Sequence, residues 1–264
     1  MTALDTLAPT SPRTPPGIGA AEWQARVRLA ACYRIADHLG WTETIYGHIT
    51  LRVPGPDKHF LINPWGLRYD EVRASNLVKV GLDGSIVGDS DWGINPAGFV
   101  IHSAIHGARA DVACVVHVHT IAGMAVAAQA RGLLPVSMPA TGFWGRIAYH
   151  DYEGPSLELD ERARLVRDLG DKKVMILRNH ALLTCGATLE EAVILMFRLQ
   201  RACEVQIAAQ GGGAPLVEPS EKVCEESARL TDRFLSGEGA APVGKLEFDS
   251  YVRLIEARDP SFRS

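Results

Sequence analysis

The sequence predicts an α/β fold, one domain in which helices cover a mixed β-sheet, and three observations carry that prediction. Early apolar segments are separated by tight-turn residues, as in hairpins. Later ones, the valine-rich run 112–116 and the run 174–177, are continuously apolar, as buried strands are. Between and after them Val193, Met196, Leu199, Cys203 and Ile207 recur at helical spacing. Hairpin-linked strands followed by alternating strands and helices imply a mixed sheet with helical cover.

Each element follows from its residues. Residues 1–19 are rich in Pro, Thr and Ala and lack an apolar signal core, so they read as a disordered leader. Trp23, Val27, Ala31 and Ile35 place a helix over 20–39, and Gly40 stops it. Residues 45–53 read as a strand closed by Pro54-Gly55-Pro56, and 59–62 as its hairpin partner. Asp83-Gly84 marks a second hairpin between 77–82 and 85–87. Helices are expected over 99–108 and, in small residues that allow close packing, over 121–130. Residues 133–149, with their Pro, Gly and aromatics, read as irregular. A short helix is expected over 160–169. Thr188, with Glu191 three positions on, caps the helix that runs to about residue 209. Gly211-Gly212-Gly213 ends it, and the more polar helices 221–235 and 247–256 follow a link. The expected organisation is a leader (1–19), one domain (20–210) and a helical tail (211–264) packed on that domain or on a neighbouring subunit.

Composition narrows the function. The chain has 264 residues, 47% hydrophobic and 22% charged, the balance of a water-soluble globular chain, and a cytoplasmic setting is expected. A net charge of -4 gives no reason to expect nucleic acid or an anionic membrane as partner. No stretch is long and apolar enough to predict a membrane span. Cys32, Cys114, Cys185, Cys203 and Cys224 are odd in number and lack a C-x-x-C pair, which suits buried free thiols.

The chemistry lies in the histidines. His117 and His119 end the valine-rich strand, and residues two apart on a strand share a face. Two imidazoles on a rigid element can grip a transition metal. His180 ends another apolar run, before the short strand 182–186. If these strands neighbour each other, His180 completes a three-histidine set, which with open positions describes a catalytic metal site.

Phe99-Val100-Ile101-His102, the run from Arg109-Ala110-Asp111 through Val115-Val116-His117 to His119, and Arg178-Asn179-His180-Ala181-Leu182-Leu183 together resemble the class II aldolase/adducin family over roughly residues 23–210. The resemblance implies a three-layer αβα sandwich around a mixed, largely antiparallel sheet. It also implies a divalent metal on His117, His119 and His180, and a homotetramer with sites at subunit boundaries. Zinc is the first expectation, with manganese, cobalt or iron as alternatives. This chain departs from the family's sugar-phosphate aldolases at three points. Their catalytic glutamate, four residues before His102, is Gly98 here. The serines before it are replaced by Asn95-Pro96-Ala97, and their Gly-Asn-x-Ser turn reads Gly47-His48-Ile49-Thr50.

A metal on three histidines can polarise a carbonyl and stabilise the enolate left when a carbon–carbon bond breaks. Decarboxylation needs no base to begin, so the loss of the glutamate bears less on a decarboxylase than on an aldolase. The expectation is a carbon–carbon lyase, aldolase or decarboxylase, for a non-phosphorylated hydroxy or keto acid. The alternatives are a non-haem metal oxygenase on a similar acid and a non-catalytic adducin-like scaffold. His48, Tyr149 and Tyr251 are the expected acid–base residues. Arg146, Asn95, Gly98 and His102 are the expected substrate-binding positions, Arg146 for a carboxylate. His102 and His106 share a helix face and are expected to pack or to support the ligands.

Overall fold

The computed structural model describes residues 14–155, 159–236 and 242–264. Most of the expected leader, residues 1–13, lies outside the described residues. Helix α1 (Ala20–His38) buries Trp23, Val27, Ala31 and Ile35 as its periodicity requires. It ends at Gly40, whose φ of +71° a side chain would disfavour. Strands β1 (His48–Arg52) and β2 (Phe60–Ile62) form the expected hairpin. Strand β3 (Val78–Val80) adds to β2, while the second expected hairpin shrinks to one bridge between Val80 and Ile86. Helix α2 (Pro96–Ala108) starts earlier than expected. Asn95 caps it, its side-chain oxygen accepting from the Ala97 amide, and Pro96 occupies the first turn where its missing N–H costs nothing.

Strand β4 (Cys114–Val118) is fully buried. Helix α3 (Ile121–Ala127) packs so closely on the sheet that a side chain at Gly123 would come within 2.7 Å of Leu182. The stretch 133–149, expected to be irregular, holds the short helix α4 (Met138–Thr141) and the first residues of strand β5 (Ile147–His150). A strand of four residues carries too little alternation to read in sequence; its pairing with β6 decides it. Helix α5 (Glu161–Leu169), strands β6 (Val174–Leu177) and β7 (Ala181–Gly186), and helices α6 (Leu189–Gly211), α7 (Glu221–Leu235) and α8 (Lys245–Arg258) complete the chain, with 3-10 turns at Tyr69–Glu71 and Pro260–Arg263. Thr188 caps α6 as expected, accepting from the Glu191 amide, but the Glu191 carboxylate reaches back to Ala187 instead of Thr188.

The sheet order is β3-β2-β1-β4-β7-β6-β5, antiparallel throughout except for the β5–β6 pair. Ile49, Leu51, Val116, Val118 and Leu182 face one layer, formed by α1 and α6. Val115, Met175, Leu183 and Cys185 face the other, formed by α2 and α5. The result is the expected three-layer αβα sandwich on a largely antiparallel sheet. The tail packs back on the domain: Phe248, Ile255 and Phe262 are buried with α1, and the Ala74 amide donates to the Phe262 carbonyl. The five cysteines are buried and unpaired. No helix among the described residues is long and apolar enough to cross a membrane.

Candidate metal centre

Antiparallel pairing of β4 with β7 brings the ends of the two histidine segments together. Val118 pairs with Leu182, so His119, one residue beyond β4, lies beside the turn between β6 and β7 that carries His180. That turn is tight. Leu177 pairs with Ala181, and Asn179 takes a left-handed φ of +54° to close it. The ring centroids of His117, His119 and His180 lie 4.7 to 5.0 Å apart.

Hydrogen bonds define which nitrogens face inward. His117 Nδ1 lies 3.1 Å from the Leu182 carbonyl oxygen, and His119 Nδ1 lies 2.6 Å from Glu43 Oε2. A carbonyl and a carboxylate only accept, so each Nδ1 carries a proton, and in the neutral ring each Nε2 is left with a lone pair. Those two Nε2 atoms face each other at 2.9 Å, and His180 Nε2 lies 3.2 Å from that of His119. Two lone pairs at that distance repel unless a cation sits between them. Tetrahedral ligands at the usual zinc–nitrogen distance would be about 3.3 Å apart, close to what is seen. Burial and the neighbouring imidazoles hold the His117 ring well below the usual histidine pKa. The same causes, burial first, lower that of His180 to about 4. Both rings are thus neutral at neutral pH, the form in which an imidazole can ligate a cation. His117 is buried while His119 and His180 stay partly exposed, so the set is open on one side, as a catalytic rather than a structural site requires.

The other expected residues divide. His48 pairs across the sheet with His117, its ring parallel to that of His117 at 6.3 Å. It is buried, both ring nitrogens lack a protein partner, and burial lowers its pKa to about 3. Gly98, in the first turn of α2, is its seat: a Cβ there would lie 2.6 Å from the His48 ring. Asn95 caps the same turn. His102 sits behind, its Nδ1 2.6 Å from Thr50 Oγ1, which is also 2.8 Å from His106 Nε2. It therefore supports the site from the core and presents no group at its mouth.

Three expected residues are not brought to the triad within this chain. Arg146 stands at the start of β5, the end opposite His150, and its guanidinium is engaged by Asp232 of α7 and the Trp144 carbonyl. Tyr149 points to the α6 side of the sheet, away from the α2 layer of His48 and His117. Its hydroxyl accepts from the Leu133 amide and Arg178 stacks on its ring. Tyr251 packs between His38 and Phe197 on the α1–α6 layer. Its neighbour in space is the core, not the triad. Sequence reasoning missed Glu43, 76 residues from the histidine it holds. No local pattern around it signals the contact.

The fold and sequence have counterparts in known proteins. The model of the class II aldolase and adducin N-terminal domain matches residues 27–207. A provisionally named class 2 aldolase protein of Pseudomonas aeruginosa is 45% identical over 93% of this chain and 94% of its own. Alpha-adducin of Rattus norvegicus is 45% identical over 88% of this chain, which spans 33% of that longer protein. Among solved structures, an aldolase II superfamily protein from Pseudomonas syringae superposes with a TM-score of 0.89 at 49% identity, over 94% of this chain and 98% of that one. An L-fuculose 1-phosphate aldolase from Glaciozyma antarctica does so with a TM-score of 0.79 at 30% identity, over 95% and 97%. With the match spanning the sheet, both histidine segments and α6, this chain belongs to the class II aldolase and adducin N-terminal domain family.

Proposed function

We propose that the chain is a metal-dependent carbon–carbon lyase, aldolase or decarboxylase, for a non-phosphorylated hydroxy or keto acid. The observation that carries this reading is the convergence of three Nε2 atoms, two of them with their Nδ1 protons already committed. When bound, a divalent cation, zinc before manganese, cobalt or iron, supplies Lewis-acid polarisation of a substrate carbonyl and offsets the charge that develops on its oxygen.

The protein's own groups do the rest. His117, His119 and His180 hold and orient the cation. His48, neutral, buried and without a protein partner, has one N–H and one lone pair beside His117. It can hold a substrate oxygen through the former or take a proton through the latter. The first turn of α2, which abuts His48 through Gly98, brings the positive end of a helix dipole to the same place, and this favours a carboxylate. Asn95-Pro96-Ala97 offers no hydroxyl in that turn, which disfavours a phosphate. A small-molecule substrate, a homotetramer and a cytoplasmic setting belong to the same reading.

The likeness to alpha-adducin favours a second reading, a non-catalytic scaffold, and the retained triad weighs against it. A screen of short hydroxy and keto acids separates them. The cation-loaded protein should release carbon dioxide or pyruvate from at least one acid, and chelator should stop it. A cation-loaded protein that turns over none of them supports the scaffold, and iron with oxygen consumption supports an oxygenase.

A further inference from the structure

Two non-glycine residues among those described adopt a left-handed backbone, Thr44 at φ +50° and Asn179 at φ +54°. Such a backbone is costly for a side chain with a Cβ, and more so for a β-branched one. Both lie beside the metal centre. Asn179 precedes His180, and Thr44 follows Glu43, whose carboxylate meets His119. The turn around Thr44 is built, not frayed: the Tyr46 amide donates to the Glu43 carbonyl at 2.8 Å, and the two residues form an isolated bridge. Its product is one carboxylate delivered to the Nδ1 edge of His119, opposite the nitrogen that faces the triad.

We propose that Glu43 is a positioning residue of the cation site: its carboxylate holds His119 in the tautomer that bares Nε2 and strengthens that nitrogen as a ligand. The proposal rests on the triad being a cation site but not on the reaction performed there. An exposed Glu–His pair on its own stabilises a fold little, and the Glu43 side chain is 46% exposed. The pair therefore gives little return for a strained turn unless it serves the site. Through a ring it orients, an outer carboxylate changes affinity without touching the cation.

The test is cation affinity, measured on chelator-stripped full-length protein by zinc or cobalt competition, with no substrate present. Glu43→Ala should weaken binding roughly 10- to 100-fold. Glu43→Gln, whose amide oxygen still accepts from Nδ1, should lose less. Nitrogen NMR of the stripped protein should show His119 with its proton on Nδ1 in the wild type and mixed tautomers in the Ala variant. An Ala variant that binds within twofold of the wild type overturns the proposal, as does a stripped wild type in which His119 carries its proton on Nε2 or shows mixed tautomers. If the Ala variant does not fold, the Gln variant and its tautomer spectrum decide alone. A wild type that binds no divalent cation overturns this inference and the lyase together; unchanged variants of a cation-binding wild type overturn only this inference.

Discussion

The two faces of the sheet are built on different principles. The face covered by α1 and α6 is mostly apolar. Leu29, Ile49, Val116, Val118, Leu182 and Leu199 are buried there among apolar neighbours, and Thr184 on that side is anchored by donating to the Ala192 carbonyl, though Trp23 Nε1 and the Tyr69 hydroxyl are buried without a partner. The face covered by α2 carries buried imidazoles amid its apolar residues: His48, His102, His106 and His117. On strand β1 the two principles alternate residue by residue, Ile49 and Leu51 to one side, His48 and Thr50 to the other. One layer holds the fold together. The other gives up some of that stability, because buried polar atoms such as His102 Nε2 and both nitrogens of His48 have no protein partner. A chain retains such groups where a site needs them.

The largest test of this contrast is acid. Five histidines, His48, His102, His106, His117 and His180, all have pKa values lowered first by burial. In the unfolded chain each returns to about 6.5. Below that pH the unfolded chain binds protons that the folded one refuses, so stability is complete above about 6.5 and falls as pH drops toward the folded values. For His180 that value is about 4, and for His48 and His106 about 3. Denaturant unfolding of cation-free protein should give equal stability at pH 7 and 8 and a clear loss at pH 5. A flat profile from 7 to 5 would mean that these rings are not held neutral.

A smaller effect is expected at Gly98. Its missing side chain leaves the space in which the His48 ring lies. Gly98→Ala should cost about 1–3 kcal/mol by overpacking, measured by denaturant unfolding, beyond the helix-propensity gain of alanine. Adding His48→Ala should recover most of the loss. Equal losses with and without His48 would show that the ring is not what fills the space.

Helix α1, the paired histidines of β4 and the α6 cap were legible in the sequence because each depends on local signals: a spacing of four, an alternation of two, a hydroxyl before an apolar run. The family motifs added His180 to the pair, and the structure supplies the β4–β7 pairing that brings it there. The positions of Arg146, Tyr149 and Tyr251 away from the triad within this chain were not legible, because their contacts, with Asp232, Leu133 and Phe197, leave no mark on the residues beside them. For Tyr149 the alternation of a four-residue strand decides the face, and that strand was itself hidden in a stretch rich in Pro and Gly. Glu43 was missed for the same reason in reverse, since nothing near residue 43 refers to residue 119.

The smallest effect is expected at Arg146. Its ion pair with Asp232 is exposed on both sides, 41% and 55%, so Arg146→Ala should change stability by no more than about 1 kcal/mol. Cation affinity should not change at all, because this residue lies at the other end of β5. A variant with weakened cation binding would join two ends of the sheet that the structure separates.

The most direct measurement is a calorimetric titration of chelator-stripped protein with zinc, repeated on His117→Ala, His119→Ala and His180→Ala. Three convergent imidazoles predict one equivalent of zinc per chain in the wild type and the loss of that tight site in each variant, with the fold retained by circular dichroism. A wild type that takes up no zinc, or variants that bind it as the wild type does, would contradict the account.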